Sequence, residues 1–312
     1  MKKRLAVAAI TNTLAGGNPL EVVSALRDHD NIGLHEFITR SPGDAETIAH
    51  ELTGGGDIDV VVAIGGDGTA GEVARGMYSA VGRPIGYRPK LLIAPGGTGN
   101  SNYRCLWEDK PWLEVIEAVF TSGDAVCKPI DLAWIAKLDK PALLGISAGL
   151  LPEALTISHS LQSDGREKLA EAALMALQSY QGYAGRVTVD GELLVETEIL
   201  AVLIGGSRYR GGFLNLLPRS ILDDGLLDVC VVNARMDREE FAMACVNGTL
   251  GAVPGSHYRS GKSVRIERLD GQSLKIDHDG ELGTVESPAF DIDVLPSAID
   301  VLASPTTQIW SD

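Results

Sequence analysis

Two glycine-rich turns and one acidic triplet carry the residues of this chain whose types and spacing suit chemistry. Gly65-Gly66-Asp67-Gly68-Thr69 follows the run Val60-Val61-Val62-Ala63-Ile64, and Glu72 lies three residues beyond it. Glycines at a strand-to-helix turn let the backbone take positive φ and bring bare N–H groups close to a ligand. A helix N-terminus just beyond favours an anion such as a nucleotide phosphate. Thr69 adds a hydroxyl donor. Asp67 is the odd member, because a carboxylate repels phosphate unless a bound cation or a proton to be handled sits between them. A tight βα turn with Asp67 as a helix cap is the simpler reading of the same residues. The Walker spacing Gly-x4-Gly-Lys-Ser/Thr and the dinucleotide Gly-x-Gly-x-x-Gly are both absent.

The second turn, Pro95-Gly96-Gly97-Thr98-Gly99-Asn100, ends the apolar run Leu91-Leu92-Ile93-Ala94. Two such turns place two loops along one crevice, at the carboxyl ends of neighbouring parallel strands. The acidic triplet is Asp277, Asp279 and Glu281, three carboxylates within five residues around Gly280. Like charges so close raise one another's proton affinity, which suits a general base. Asp190-Gly191-Glu192 in the same chain shows that such a triplet also serves as a plain hairpin tip. From the residues alone both readings stand.

The elements that must position these groups divide the chain in two. Leu5–Ile10 reads as a strand, Pro19 opens a helix with Leu20, Val22, Val23 and Leu26 on one face, and Leu34–Ile38 is a second strand. Helices are expected from near Asp44, from about Glu72 and over Pro111–Phe120. This alternation implies a doubly wound parallel sheet. After Gly123-Asp124 most segments are strand-like: Ile130–Ala136, Leu143–Ser147, Arg186–Val189, Glu198–Ile204, Leu227–Val232, Val264–Leu269, Leu274–Ile276 and Phe290–Val294. Asp190-Gly191 marks a hairpin, and helices are expected over Arg166–Tyr180 and Arg238–Thr249. The fold class is therefore α/β plus mostly β. A nucleotide-binding domain at 1–125 precedes a larger antiparallel, β-sandwich-like domain at 126–298, and the tail 299–312 is placed back on the first domain.

Composition narrows the function. With 312 residues two domains and a sizeable core are expected. A formal net charge of −15 argues against nucleic acid, whose backbone such a chain repels, and against a strongly basic surface on anionic lipid. Cys105, Cys127, Cys230 and Cys245 are scattered without a CxxC pair, so neither a zinc site nor a disulfide framework is indicated. The Met1-Lys2-Lys3-Arg4 start resembles that of a signal peptide, but the apolar stretch after it stops at Thr11-Asn12 and reads as a strand. No apolar run approaches about 18 residues. A cytoplasmic protein is expected.

From about Val7 to about Leu302 the chain resembles the diacylglycerol kinase catalytic-domain family, which includes bacterial lipid kinases and sphingosine and ceramide kinases. The resemblance implies an ATP-dependent lipid kinase that transfers the γ-phosphoryl group to a lipid hydroxyl, with ATP and Mg2+ and with the active site in the cleft between the two domains. Asn12 and Gly16 fall where the family has Asn-Pro-x-Ser-Gly, and Thr39 with Gly43-Asp44-Ala45 matches its Thr followed by Asp/His-Ala. Gly65, Gly66, Asp67, Gly68, Thr69 and Glu72 match Gly-Gly-Asp-Gly-Thr-x-x-Glu, and Thr98 and Asn100 match Gly-Thr-x-Asn. These are the implied nucleotide-binding residues. Glu281 is the implied proton acceptor, with Asp279 supporting it or sharing the role, and Asp67 belongs to the implied catalytic set. In Leu216–Asp228, Asp224 with the main-chain carbonyls of Ile221 and Leu226 is the implied magnesium site, away from the reacting phosphate. Asp131 corresponds to an acidic residue at the start of the β domain.

The departures are Thr13 and Ala15 for Pro and Ser of the first motif, Ser101 for the Asp after Asn100, and Gly149–Ala154 in place of a Gly-Phe-Asp-Ala-like segment. Two other functions stay open beside the lipid kinase. One is a soluble kinase of the NAD kinase type, which shares Gly-Gly-Asp-Gly-Thr. The other is a non-catalytic nucleotide- or lipid-binding relative. The implied partners are nucleotide and a lipid substrate, with peripheral membrane contact, no nucleic acid and no transmembrane segment, and a homodimer is left open.

Overall fold

The computed structural model describes residues 4–80, 88–163 and 165–311; the Met1–Lys3 part of the basic start and the final tail residue, Asp312, lie outside them. Met1–Ile130 with Ser297–Trp310 forms one compact unit, and Asp131–Pro296 forms a second.

In the first unit the order is β1 (Leu5–Thr11), α1 (Pro19–Arg27), β2 (Ile32–Ile38), α2 (Asp44–Gly55), β3 (Val60–Gly65), α3 (Asp67–Ala80), β4 (Lys90–Pro95), α4 (Ser101–Trp107) and α5 (Trp112–Glu117). β1 pairs in parallel with β2 (Val7↔Leu34) and with β3 (Val7↔Val60), and β3 pairs with β4 (Val61↔Leu91). Every residue of β3 is buried, as the β-branched run requires of a strand covered on both faces. The chain runs outward from β1 to β2, then returns past β1 to β3 and β4. Right-handed crossovers therefore place helices on both faces, and the order reverses between β1 and β3.

The second unit contains β5 (Val126–Ile135, entering from the first), β6 (Lys140–Ala142), β7 (Ile146–Gly149), α6 (Leu150–Ser158), α7 (Gly165–Ser179), β8 (Tyr183–Val189), β9 (Glu192–Gly205), β10 (Tyr209–Arg210), β11 (Leu214–Asn215), β12 (Leu227–Asn233), α8 (Arg238–Asn247), β13 (Ser256–Gly261), β14 (Ser263–Arg268), β15 (Leu274–His278), β16 (Glu281–Val285) and β17 (Ala289–Ala303). The pairings β16–β15–β7–β9–β8–β14–β17 are antiparallel, and β12 joins β9 to β13. Alternation along the strands separates two apolar clusters. Val202, Ile204, Val229 and Val231 face the inner core with Ile146, Val187, Ile276 and Phe290. Leu203, Cys230 and Val232 face outward, where Leu150, Ala176 and Phe241 of α6, α7 and α8 cover them.

Several elements differ from the sequence expectation. The helix expected over Pro111–Phe120 begins at Trp112 and passes at Ala118 into a π-turn ending at Ser122. The strand expected over Phe290–Val294 continues to Ala303, pairing first with β14 (Ile266↔Phe290) and then in parallel with β4 (Val301↔Leu91). The strand expected over Leu143–Ser147 begins only at Ile146.

Gly76 shows how closely the first unit is packed. A Cβ there would overlap the Glu46 carbonyl and come within 2.9 Å of the Ala49 side chain, and Arg75 beside it reaches Glu46 at 2.9 Å. Overpacking of this kind costs about 1–3 kcal/mol. Gly76→Ala is expected to lower the urea midpoint accordingly, with a circular dichroism spectrum like that of the wild type. An unchanged midpoint would contradict the close crossing of α2 and α3.

Candidate functional site

All the glycine-turn residues gather at the carboxyl edge of the parallel sheet. Asn12 follows β1, Thr39 follows β2, Gly65 ends β3 and Pro95 ends β4. The two glycine turns are pressed together. A Cβ on Gly96 would lie 2.7 Å from the Gly65 nitrogen, and one on Gly97 would overlap Gly66 Cα. A third turn closes on them, since a Cβ on Gly16 would overlap Thr98 Oγ1 and one on Gly17 would lie 2.7 Å from the Gly96 carbonyl oxygen. Asn12 donates from its main-chain N–H to Ile64 (2.8 Å) and from Nδ2 to Thr69 Oγ1 (3.3 Å). Asn100, at φ 57°, accepts from Gly97 N–H and donates back to the Gly97 carbonyl, both at 2.8 Å. Glycine is required here because three backbones meet where side chains would stand.

The carboxylates at this edge have structural partners that the sequence did not disclose. α3 begins at Asp67 rather than near Glu72, so Gly68 and Thr69 lie in its first turn, where N–H groups have no intrahelical acceptor. Asp67 accepts the N–H groups of Ser101 (3.0 Å) and Asn102 (2.9 Å), at the start of α4. It is a cap, but of another helix, and those donors offset its charge. Glu72 accepts from Gly43 N–H (2.9 Å) and Ala45 N–H (3.2 Å), which caps α2. Thr39 donates its N–H to the Thr11 carbonyl at 3.0 Å.

In the second unit the acidic triplet forms the β15–β16 turn, with Asp279 (φ 53°) and Gly280 (φ 82°) both left-handed, as a type I′ hairpin requires. Asp279 is 0% exposed and accepts the N–H groups of Leu143 (3.1 Å) and Leu144 (2.6 Å). This pairing breaks the strand expected over Leu143–Ser147: those donors turn toward a side chain, Gly145 takes φ 124°, and pairing resumes at Ile146. Asp277 accepts from Ser147 Oγ and Gly280 N–H, both at 3.0 Å. The two aspartates are thus drawn to separate donors. Glu281, half-buried, opens β16 opposite His278. The other triplet uses the same device: Asp190 (φ 51°) accepts from Lys262 and Ser263 N–H at 2.8 and 2.9 Å, leaving Glu192 exposed beside Arg259. The aspartates of both turns fasten neighbouring backbone, and the difference between the turns lies in their glutamates.

Around Asp224, four carboxylates come close. Asp131 accepts from Gly225 N–H (2.6 Å) and donates its own N–H to Leu222 (2.7 Å). Asp223 accepts from Ser311 N–H, and buried Asp228 accepts from Ser260 Oγ. Partial burial, joined by the charges of Asp228, Asp131 and Asp223, pushes the Asp224 carboxyl above its ordinary range, against an opposing bond from Leu226 N–H. Among the described residues no three His, Cys, Asp or Glu side chains are grouped to hold a metal ion. One carboxylate with the main-chain oxygens of Ile221 and Leu226 is nevertheless an oxygen donor set that a hard cation accepts, at a point where positive charge would relieve the crowding.

A cavity of about 240 Å³, absent from the sequence reading, opens in the second unit between α6, α7, α8 and the 213–216 segment. Leu151, Ala173, Leu177, Phe213, Phe241 and Cys245 are among its lining residues, none of which is charged. The cue in the sequence is absence of charge: 172–185, 211–218 and 241–258 contain no Asp, Glu, Lys or Arg.

Residues 7–133 match the diacylglycerol kinase catalytic domain, and 146–303 match the YegS C-terminal NAD kinase beta sandwich-like domain. A "Probable lipid kinase YegS-like" protein of Xanthomonas axonopodis pv. citri (strain 306) is 30% identical over 293 residues, covering 89% of each chain. A "Diacylglycerol kinase" of Bacillus subtilis (strain 168) is 28% identical over 251 residues, covering 78% of each. A solved diacylglycerol kinase structure from Bacillus anthracis str. Sterne superposes with a TM-score of 0.72 at 21% identity, covering 98% of this chain and 99% of that one, and bears out the fold.

Asp279 yields a stability test. Asp279→Ala strands two buried N–H donors, each costing about 1–3 kcal/mol, so a loss of about 2–5 kcal/mol is expected in chemical denaturation. Asp279→Asn keeps one acceptor oxygen and should lose less. Equal, negligible losses in both would refute the role of Asp279 as an anchor for Leu143 and Leu144.

Proposed function

This chain belongs to the diacylglycerol kinase catalytic-domain family, a family of lipid kinases, and we propose that it transfers the γ-phosphoryl group of ATP to a hydroxyl group of a membrane lipid. The observation that carries the lipid reading is the uncharged cavity of the second unit, which suits an acyl chain and would be out of place in a kinase acting on a soluble dinucleotide.

In this reading the phosphates lie over Gly65, Gly66, Gly68 and Thr69, at the N-terminus of α3. Gly16, Thr98 and Asn100 shape the turns around them, and Asn12 holds Thr69. Asp67 and Glu72 fix the loops through their bonds to α4 and α2, and Asp67 remains part of the proposed catalytic set. Thr39 sits on the loop that Glu72 secures. Phosphoryl transfer rests on positioning and charge neutralisation. The lipid hydroxyl oxygen forms the new P–O bond as the bond to the bridging oxygen of ADP breaks. Glu281 accepts the hydroxyl proton, and Asp279 holds the turn that presents it. Asp224, with the carbonyls of Ile221 and Leu226, would hold the proposed Mg2+, whose charge would offset that of the neighbouring carboxylates.

A radiolabelled ATP assay against a panel of diacylglycerol, other hydroxylated lipids and NAD tests the reading. Label is expected in a lipid and not in NAD; label in NAD, or in nothing, would replace it by the soluble-kinase or the non-catalytic alternative. Glu281→Gln should lower turnover about 10²- to 10⁴-fold with little change in nucleotide affinity, while Glu192→Gln should be nearly silent. Equal effects in the two would refute Glu281 as the base.

The metal assignment has its own readout. A cation competes with the proton for Asp224, whose carboxyl is raised in the folded protein. Mg2+ should therefore raise the melting temperature at neutral pH, and progressively less as pH falls through that raised carboxyl range. Asp224→Ala should remove both the Mg2+ effect and its pH dependence. A Mg2+ shift that survives Asp224→Ala places the ion elsewhere.

A further inference from the structure

Resting on the lipid-kinase reading, we propose that the C-terminal halves of α7 and α8, which line the same cavity, dock this protein onto a bilayer through apolar contact, independently of anionic lipid. Leu174 and Val246 line the cavity, yet they are 59% and 57% exposed, so they stand at its mouth. Met175, 44% exposed, follows Leu174 on α7, and Met243, 58% exposed, stands about one turn before Val246 on α8. Exposed apolar residues scattered singly need no explanation, but a group around the mouth of an apolar cavity does.

Charge selects the occupant. The charges of both helices lie toward their N-termini: Arg166, Glu167, Lys168 and Glu171 on α7, and Arg238, Glu239 and Glu240 on α8. Beyond them both helices are uncharged to their ends. A chain with a net charge of −15 is repelled by anionic headgroups, so contact with a membrane is favourable where the surface carries no charge. Interfacial helices bind by burying an apolar face at the headgroup–acyl boundary, and rim residues sunk to that depth would open the cavity directly onto the acyl region. A lipid could then enter by its chain without crossing water. No described helix is long and apolar enough to cross a membrane.

Sedimentation with phosphatidylcholine vesicles, without nucleotide, tests the docking separately from catalysis. The wild-type protein should co-sediment. Its binding should persist as the screening length falls from about 10 Å at roughly 0.1 M salt to about 3 Å at roughly 1 M, and should not improve when phosphatidylglycerol is added. Met175→Glu and Met243→Glu, both on exposed helix positions with a good helix former introduced, should each weaken vesicle binding about tenfold, equivalent to about 1.4 kcal/mol. Their circular dichroism, and their phosphorylation of a short-chain lipid dissolved in detergent, should match the wild type. Leu193→Glu, at an exposed apolar position on β9, should bind vesicles normally. Binding that requires anionic lipid or vanishes in salt would overturn the proposal. So would equal losses in all three variants, or a dimer in light scattering that both methionine substitutions dissociate. Absence of kinase activity with vesicle binding intact would instead count against the function and leave the docking surface standing.

Discussion

Carboxylates that accept main-chain N–H bonds hold the loops of this protein in place. Asp67 fastens the start of α4, Glu72 the start of α2, Asp131 the Gly225 turn and Asp279 the segment at Leu143 and Leu144. Bonds to a charged acceptor are stronger than neutral ones, and a carboxylate at a helix N-terminus also meets the favourable end of the helix dipole. An acidic chain can thus fix irregular segments without many ion pairs, whose exposed examples contribute little. The residues that look reactive in the sequence are largely those that set backbone geometry, and they do so at the edges where ligands are expected to meet the fold.

The second constraint is steric. Gly65 and Gly66 lie against Gly96 and Gly97, while Gly16 and Gly17 close on Thr98 and Gly96. Such backbone-on-backbone contact leaves no room for a Cβ at these turns, which lie where the sheet order reverses. The same sheet order that buries β3 on both faces brings the turns after β1, β3 and β4 to one edge. The parallel core and the gathering of the glycine loops therefore follow from a single arrangement.

How far all this could be read in advance depended on the range of the interaction. β3 and β4 were legible because a short apolar run bounded by glycine has few other uses. The hairpin at Asp190-Gly191 was legible because both residues must take left-handed φ. The start of α3 was placed too late: Gly68 reads as turn, but in the first helical turn its N–H is free in any case, and the partners that hold Asp67 lie on a different helix. The break after Leu143 was invisible because its cause is Asp279, far along the chain. The cavity went unread because Ala, Leu and Phe at helical spacing on α7 and α8 look the same whether they cover a sheet or surround an empty space.

The last strand carries a further consequence. β17 gives its first residues to β14 and its last to β4, where Val301 stands beside Leu91. In the order of synthesis, β1 to β4 emerge early, and the strand that covers the outer edge of β4 arrives only after the whole second unit has been made. Until then Leu91–Ala94 presents an open, apolar edge of the kind that recruits stray strands. The first unit is thus a sheet whose closing piece is delivered last. A ribosome paused between Ile130 and Ser297 holds a nearly complete fold with one seam unsewn, which is the moment at which a chaperone would matter most.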